Sequence, residues 1–135
     1  MPARYIESEI WSDEWFSELG FFEQALWIAL FSKVADSQGR LRDNSILIRS
    51  LVWPSKDVPV DQIEDALARF ADAGRIYRYE ASGKRYIQIL RWWDYQCPRF
   101  AVPSEYPAPI GWTDHVRCTI RGQVVQQNWI NAEGH

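Results

Sequence analysis

The sequence predicts an α+β domain in which three helices build a single core and a β-hairpin closes it. Three observations carry that expectation. Residues 21–34 are apolar around almost the whole helical circumference, with Phe22, Leu26, Ala29, Leu30 and Lys33 at three-to-four spacing and Trp27, Ile28 and Phe31 widening the stripe. Residues 61–74 read as a helix with both ends marked, Asp61 and Glu64 at capping-box spacing and Gly74 at the close. Ile76 to Glu80 and Lys84 to Leu90 then alternate β-branched and aromatic residues around Ala81, Ser82 and Gly83, which signals a hairpin.

The remaining elements follow in chain order. Arg4 to Trp11 alternates imperfectly and reads as a short strand or extended arm. Ser12, followed by Asp13 and Glu14, has the pattern of an N-cap with acids in the first turn, and Gly20 ends that short helix. After the helix over 21–34, Ser37 to Gly39 break the pattern and Arg40, Leu41 and Arg42 form a one-rung extended segment. Asp43 is placed to cap a second buried helix through Ile46, Leu47, Leu51 and Val52, which Pro54 stops. Helix, tiny strand, two helices and a hairpin is the order of a winged helix-turn-helix, with the hairpin as wing. This winged-helix domain is expected over residues 1–97.

Residues 98–135 read as a proline- and aromatic-rich extension. Pro98, Pro103, Pro107 and Pro109 forbid a helix or a central strand, and Phe100, Tyr106 and Trp112 give the strap something to pack with. Val116, Cys118 and Ile120 alternate up to Arg121-Gly122, and Val124 onward is placed to return as a short hairpin, docked by Trp129 and Ile130. Asn131 to His135 are expected to fray.

Composition narrows the function classes. The chain has 135 residues, 47% hydrophobic and 24% charged, a net charge of −3 and eight Trp, which excludes a disordered or polybasic polypeptide. Two cysteines, Cys97 and Cys118, allow at most one bridge, and there is neither an export-type leader nor an apolar run near the ~20 residues of a membrane span. The expectation is a cytoplasmic protein with free thiols and no membrane contact. His115 and His135 are the only histidines, the cysteines lack metal-type spacing, and no phosphate loop, dinucleotide fingerprint or nucleophile elbow is present. No enzyme activity, cofactor, metal site or catalytic residue is therefore expected.

Charge is uneven along the chain. Residues 1–74 hold 7 cations and 13 anions, a net −6, whereas residues 75–121 hold 8 and 4, a net +4. The basic residues gather at the wing: Arg75, Arg78, Lys84 and Arg85 on or beside the hairpin, Arg91 just after it, and Arg40 and Arg42 on the small strand. Tyr77, Tyr79 and Tyr86 interleave with them, a combination suited to phosphate contact and base stacking. The third helix offers Asp61, Glu64, Asp65 and Asp72 against Arg69 alone, a face that phosphates repel and that suits a protein partner better. Trp92, Phe100 and Tyr106 join Asp61, Glu64 and Asp65 as candidate partner contacts, while Trp93 and Tyr95 are read as core.

Several segments together resemble a known family. Arg4-Tyr5-Ile6 to Trp11-Ser12-Asp13-Glu14, Ala73-Gly74-Arg75-Ile76 followed by Tyr79, Gly83-Lys84-Arg85-Tyr86-Ile87-Gln88-Ile89, and Trp93 to Gln96 look like the N-terminal winged-helix domain of phage and prophage replication-initiation proteins, the replisome-organiser or DnaD-like group. The resemblance covers residues 1–97. It implies a noncatalytic nucleic-acid-binding protein of phage or mobile-element type, DNA ahead of RNA, working as a subunit of a larger nucleoprotein assembly. The alternative class is a protein-interaction adaptor that uses the acidic third helix and the aromatic strap.

Overall fold

The computed structural model describes residues 4–96, 100–112, 114, 116–120 and 123–128, with the backbone alone described for residues 100–101, 116–120 and 123–128. Cys97, His115, Trp129, Ile130, Asn131 to His135 and the side chains of Phe100 and Cys118 lie outside that description.

The chain is α+β. A 3-10 turn over Ser8–Ser12 stands where the sequence suggests a strand, because the Ser12 hydroxyl donates back to the Glu9 carbonyl at 3.2 Å. Helix α1 (Glu14–Ser17) is then capped by Asp13, whose carboxylate accepts from the Phe16 N–H at 2.9 Å, one residue later than expected. Helix α2 (Phe21–Ala29) starts at Gly20, whose N–H donates to the Glu23 carboxylate, and runs into a π-helical turn over Leu30–Val34. Strand β1 (Arg40–Arg42) follows.

Helix α3 (Ser45–Val52) is capped by Asn44, not Asp43. The cap shifts because the Asp43 carboxylate is drawn into ion pairs described below. Nor is α3 buried all round: Ile48 is in the core, whereas Ile46 is 61% exposed and Leu47 and Leu51 also reach solvent. One neighbour covers only one face of a helix, and the run Ile46-Leu47-Ile48 is too continuous to show which face that is. Helix α4 (Val60–Asp72) begins one residue before Asp61, with Pro59 at its N-cap and no side-chain cap; Glu64 reaches instead to the Ser45 hydroxyl at 2.9 Å. Its C-terminus is a Schellman turn. Gly74 has φ +73, its N–H donates to Ala71 and the Arg75 N–H donates to Phe70, satisfying two end carbonyls.

Strands β2 (Ile76–Ala81) and β3 (Lys84–Ile89) are joined by Ser82 and Gly83 alone, both at positive φ, 53° and 77°, as the two-residue hairpin turn of right-twisted strands requires. Ala81 belongs to the ladder opposite Lys84. The antiparallel sheet has the order β1-β3-β2, with Arg40 opposite Gln88, Leu41 opposite Ile87 and Arg42 opposite Tyr86. Leu41, Ile76, Ile87 and Ile89 therefore point to one face and meet Phe16, Leu26, Leu30, Ile63, Leu67 and Phe70 in the core.

A short helix α5 (Trp92–Tyr95) comes next. Trp92 is a core residue, 2% exposed, with its indole N–H donating to the Ser37 carbonyl at 2.9 Å. Tyr95, read from sequence as core, is 43% exposed under the Arg91 guanidinium. The strand order β4-β5-β6 defines a second antiparallel sheet, from Phe100–Ala101, Val116–Ile120 and Gln123–Asn128, with an irregular register at Cys118/Thr119.

Gly39 ties the loop before β1 to α5. It sits at φ +79, and a Cβ there would lie 2.8 Å from the Trp92 ring. Gly39→Ala should therefore cost about 3 kcal/mol in urea unfolding, combining left-handed backbone strain with a clash in a packed core. Gly83→Ala, where a Cβ meets nothing within 4 Å, should cost about 1 kcal/mol from the backbone alone.

Candidate nucleic-acid interface

The alternation of the sheet sends basic residues to two different faces. On the helix side, Arg78 leaves β2 opposite Ile87 and donates two hydrogen bonds to the Asp43 carboxylate, at 2.7 and 2.8 Å, and a third to Glu64 at 2.6 Å. The Asp43 side chain is only 2% exposed, so its charge is stable there only if paired. Hydrogen bonding to Asp43, and next to Glu64, raises the Arg78 pKa still further above its ordinary value. Arg85 approaches the same carboxylates at 3.3 and 4.0 Å while its side chain stays 58% exposed. Two cations of the hairpin thus face two carboxylates.

On the outer side, Arg40 and Arg42 share a face with Gln88, Tyr86, Tyr79 and Tyr77. Tyr77 and Tyr79 stack at 5.8 Å and 12°, Tyr79 and Tyr86 follow at 5.8 Å, and the Arg42 guanidinium lies 6.0 Å from the Tyr86 ring. The strap covers this face. Arg40 is 1% exposed and forms an ion pair with Asp114, while its Nε donates to Gln88 at 2.8 Å. Tyr106 packs on Tyr86 with ring centres 5.5 Å apart, and the Tyr79 hydroxyl donates to the Pro107 carbonyl at 2.6 Å. Ser104 donates from its backbone to Asp114 and from its hydroxyl to Asp36. Burial pushes the Tyr79 phenol well above the ordinary tyrosine range.

The structure therefore distributes the sequence candidates unequally. Lys84 is exposed at the hairpin tip and has no ion-pair partner among the described residues, and Arg85 is accessible beside it. Arg75 is half-buried with its guanidinium 4.4 Å from the Trp15 ring, in the wall of a cleft of about 580 Å³ that Trp27, Tyr5 and Tyr95 also line. Arg91 pairs with Asp94 at 2.8 Å. Arg40 lies inside, not on, the surface. Among the candidate partner contacts, Asp61 and Asp65 are exposed on α4, Glu64 is committed to Arg78 and Ser45, Tyr106 is half-buried on the sheet, and Trp92 is in the core. Even Arg69, the one cation on the α4 face, pairs with Glu23 at 2.9 Å.

The residues that sequence reasoning missed are the neutralising carboxylates. Asp43 is 35 positions from Arg78 and Asp114 is 74 from Arg40, separations that no local spacing rule detects. Among the described residues, no helix is long and apolar enough to cross a membrane and no cluster of His, Cys, Asp and Glu is placed to hold a metal ion. No family model, curated protein or solved structure matches the chain.

Removing Arg78 leaves Asp43 buried and only partly compensated by Arg85. Arg78→Ala should lower unfolding stability by about 3 kcal/mol, whereas Lys84→Ala should change it by less than about 0.5 kcal/mol; denaturant midpoints distinguish the two. Tyr79 gives a pH prediction. Its folded pKa lies above its unfolded one, so the unfolded chain loses that proton first and stability should fall as pH rises above the ordinary phenol value of about 10. Tyrosinate absorbance of the folded protein should show one phenol resisting ionisation until unfolding, and Tyr79→Phe should remove that part of the alkaline stability loss.

Proposed function

We propose that the chain is a noncatalytic winged-helix module that binds nucleic acid, DNA ahead of RNA, as a subunit of a replication-type nucleoprotein assembly in a phage or mobile-element setting. The observation that carries this reading is the wing itself. A hairpin joined through β3 to the one-rung strand β1 closes a helical core and projects Lys84 and Arg85 from a two-residue turn. The order α2, β1, α3, α4, β2, β3 is the one the winged-helix reading requires. The acidic α4 face argues that contact is made by the wing and not by a helix in the major groove.

A second reading rests on a specific observation. Ile46, Leu47 and Leu51 form an exposed apolar stripe on α3, and Asp61 and Asp65 are exposed on α4. Such a surface suits a protein partner, so the same domain also serves the adaptor reading.

Because Arg78 and Arg40 are spent internally, the wing offers few cations for phosphates: Lys84, Arg85 and part of Arg75. The logarithmic salt dependence of duplex DNA binding should therefore be shallow, with a slope of about −2 to −3. The double substitution Lys84→Glu and Arg85→Glu should weaken duplex binding by at least about tenfold in a fluorescence anisotropy titration. Binding that ignores both salt and this double change overturns the wing reading. Recovery of a stable protein partner after nuclease treatment, lost in Ile46→Asp, favours the adaptor.

A further inference from the structure

The outer sheet face carries a feature that wing contact does not explain. Its donors are incompletely satisfied: Nη2 of Arg40 and Nε of Arg42 are both buried without a hydrogen-bond partner among the described residues. A buried guanidinium nitrogen without an acceptor is costly, and at Arg40 it is stranded beneath a covering ligand with too few acceptors. That ligand is the strap. It presents one carboxylate (Asp114) to Arg40, one aromatic ring (Tyr106) to Tyr86, and one carbonyl (Pro107) to the Tyr79 hydroxyl. An anion, a stacked ring and a neutral acceptor are also what one nucleotide of a single strand presents.

We propose that residues 102–112 and Asp114 are an internal pseudo-ligand, and that single-stranded nucleic acid displaces them to bind the Arg40, Arg42, Tyr79 and Tyr86 face. In the displaced state a phosphodiester takes the place of Asp114, and both of its non-bridging oxygens are free to accept from the Arg40 guanidinium, whereas Asp114 spends Oδ2 on the Ser104 N–H. A base takes the place of Tyr106 on Tyr86, and the Tyr77–Tyr79 stack continues the platform for the next base. Stacking of this kind is open to single strands and closed to duplex DNA, whose bases are already stacked on one another. The strap is suited to leave. It holds the sheet through a few polar bonds around Ser37, Gln38, Arg40 and Tyr79, and Ile110 within it is fully exposed. This inference rests on the nucleic-acid reading but places the single-strand site beneath the strap, beside the hairpin tip and not at it.

The test uses the full chain and fluorescent oligothymidine. Asp114→Asn and Tyr106→Ala weaken the strap and should each tighten oligothymidine binding by about tenfold, the equivalent of roughly 1.4 kcal/mol. Tyr79→Phe loses only the bond to Pro107, keeps the ring and should tighten binding in the same direction, guarding against variants that simply misfold. Adding oligothymidine to the unaltered protein should also speed amide hydrogen exchange at Val102 and Ser104. If duplex DNA binds through Lys84 and Arg85 while the strap variants hold oligothymidine no tighter and those amides stay protected, the pseudo-ligand is wrong and the wing reading stands. If the strap variants gain single-strand affinity that survives Lys84→Glu with Arg85→Glu, the pseudo-ligand is supported independently of the wing. If neither nucleic acid binds any variant, both readings fall.

Discussion

Asp43 carries a charge at a position nearly closed to water, and much of the sheet's arrangement follows from the need to neutralise it. An ionised carboxylate in such a place costs several kcal/mol unless it is paired and hydrogen-bonded. Arg78 meets that need with a forked donor from β2, and Glu64 joins from α4, so one guanidinium links the β1–α3 junction, the central helix of the sheet's inner face and the hairpin. The hairpin is held against the helices by charge as well as by Ile76, Ile87 and Ile89. The same pairing removes Arg78 from the surface. A hairpin anchored in this way has its orientation set by the residues that would otherwise have given it a strong positive field.

The outer face solves the mirror problem with the signs exchanged. Here the buried charge is Arg40, and the strap supplies Asp114 from far along the chain. The two solutions differ in completeness. Asp43 receives bonds from a well-placed fork, whereas Arg40 and Arg42 each keep a nitrogen without an acceptor among the described residues. A protein interior tolerates few such groups, and the contrast between a satisfied inner face and an unsatisfied outer one is what gives the strap the character of a replaceable cover. Tyr106 adds a fourth ring to a row of three tyrosines and so hides aromatic surface that would otherwise face water.

Local chemistry was readable where a single residue type decides the geometry. Gly74 ends α4 because only glycine enters the left-handed region cheaply there, and Ser82-Gly83 turns the hairpin for a related reason. The cap slipped by one residue at Ser12, where Asp13 competes for the same role, and at Asp43, where a tertiary ion pair wins over a local cap; at Asp61 it moved back two residues to Pro59, because Glu64 is drawn to Ser45 and Arg78 instead of closing a capping box. The exposure of Ile46 and Leu47 was hidden by a run of apolar residues without periodicity. Partners for the basic residues were hidden more deeply: which carboxylate meets which guanidinium depends on strand register and on the path of the strap, and neither is encoded in spacing along the chain.

That difference bears on how charge counts should be interpreted in a domain of this size. The net +4 of residues 75–121 is real, yet the anions that answer Arg78 come from the acidic first part of the chain, and the one that answers Arg40 comes from within the basic part itself. Coulomb attraction between exposed charges fades over about 8–10 Å at physiological salt, so a distant phosphate responds to the cations left unpaired at the surface and not to the segment's total. Here that is Lys84 at the turn, with Arg85 beside it exposed but close to Asp43 and Glu64, and Arg40 covered by the strap. Asp114 both neutralises and conceals Arg40, so under the proposed displacement the domain would have two electrostatic states from one sequence, and the change between them would require only the strap to move, without rearranging the helical core.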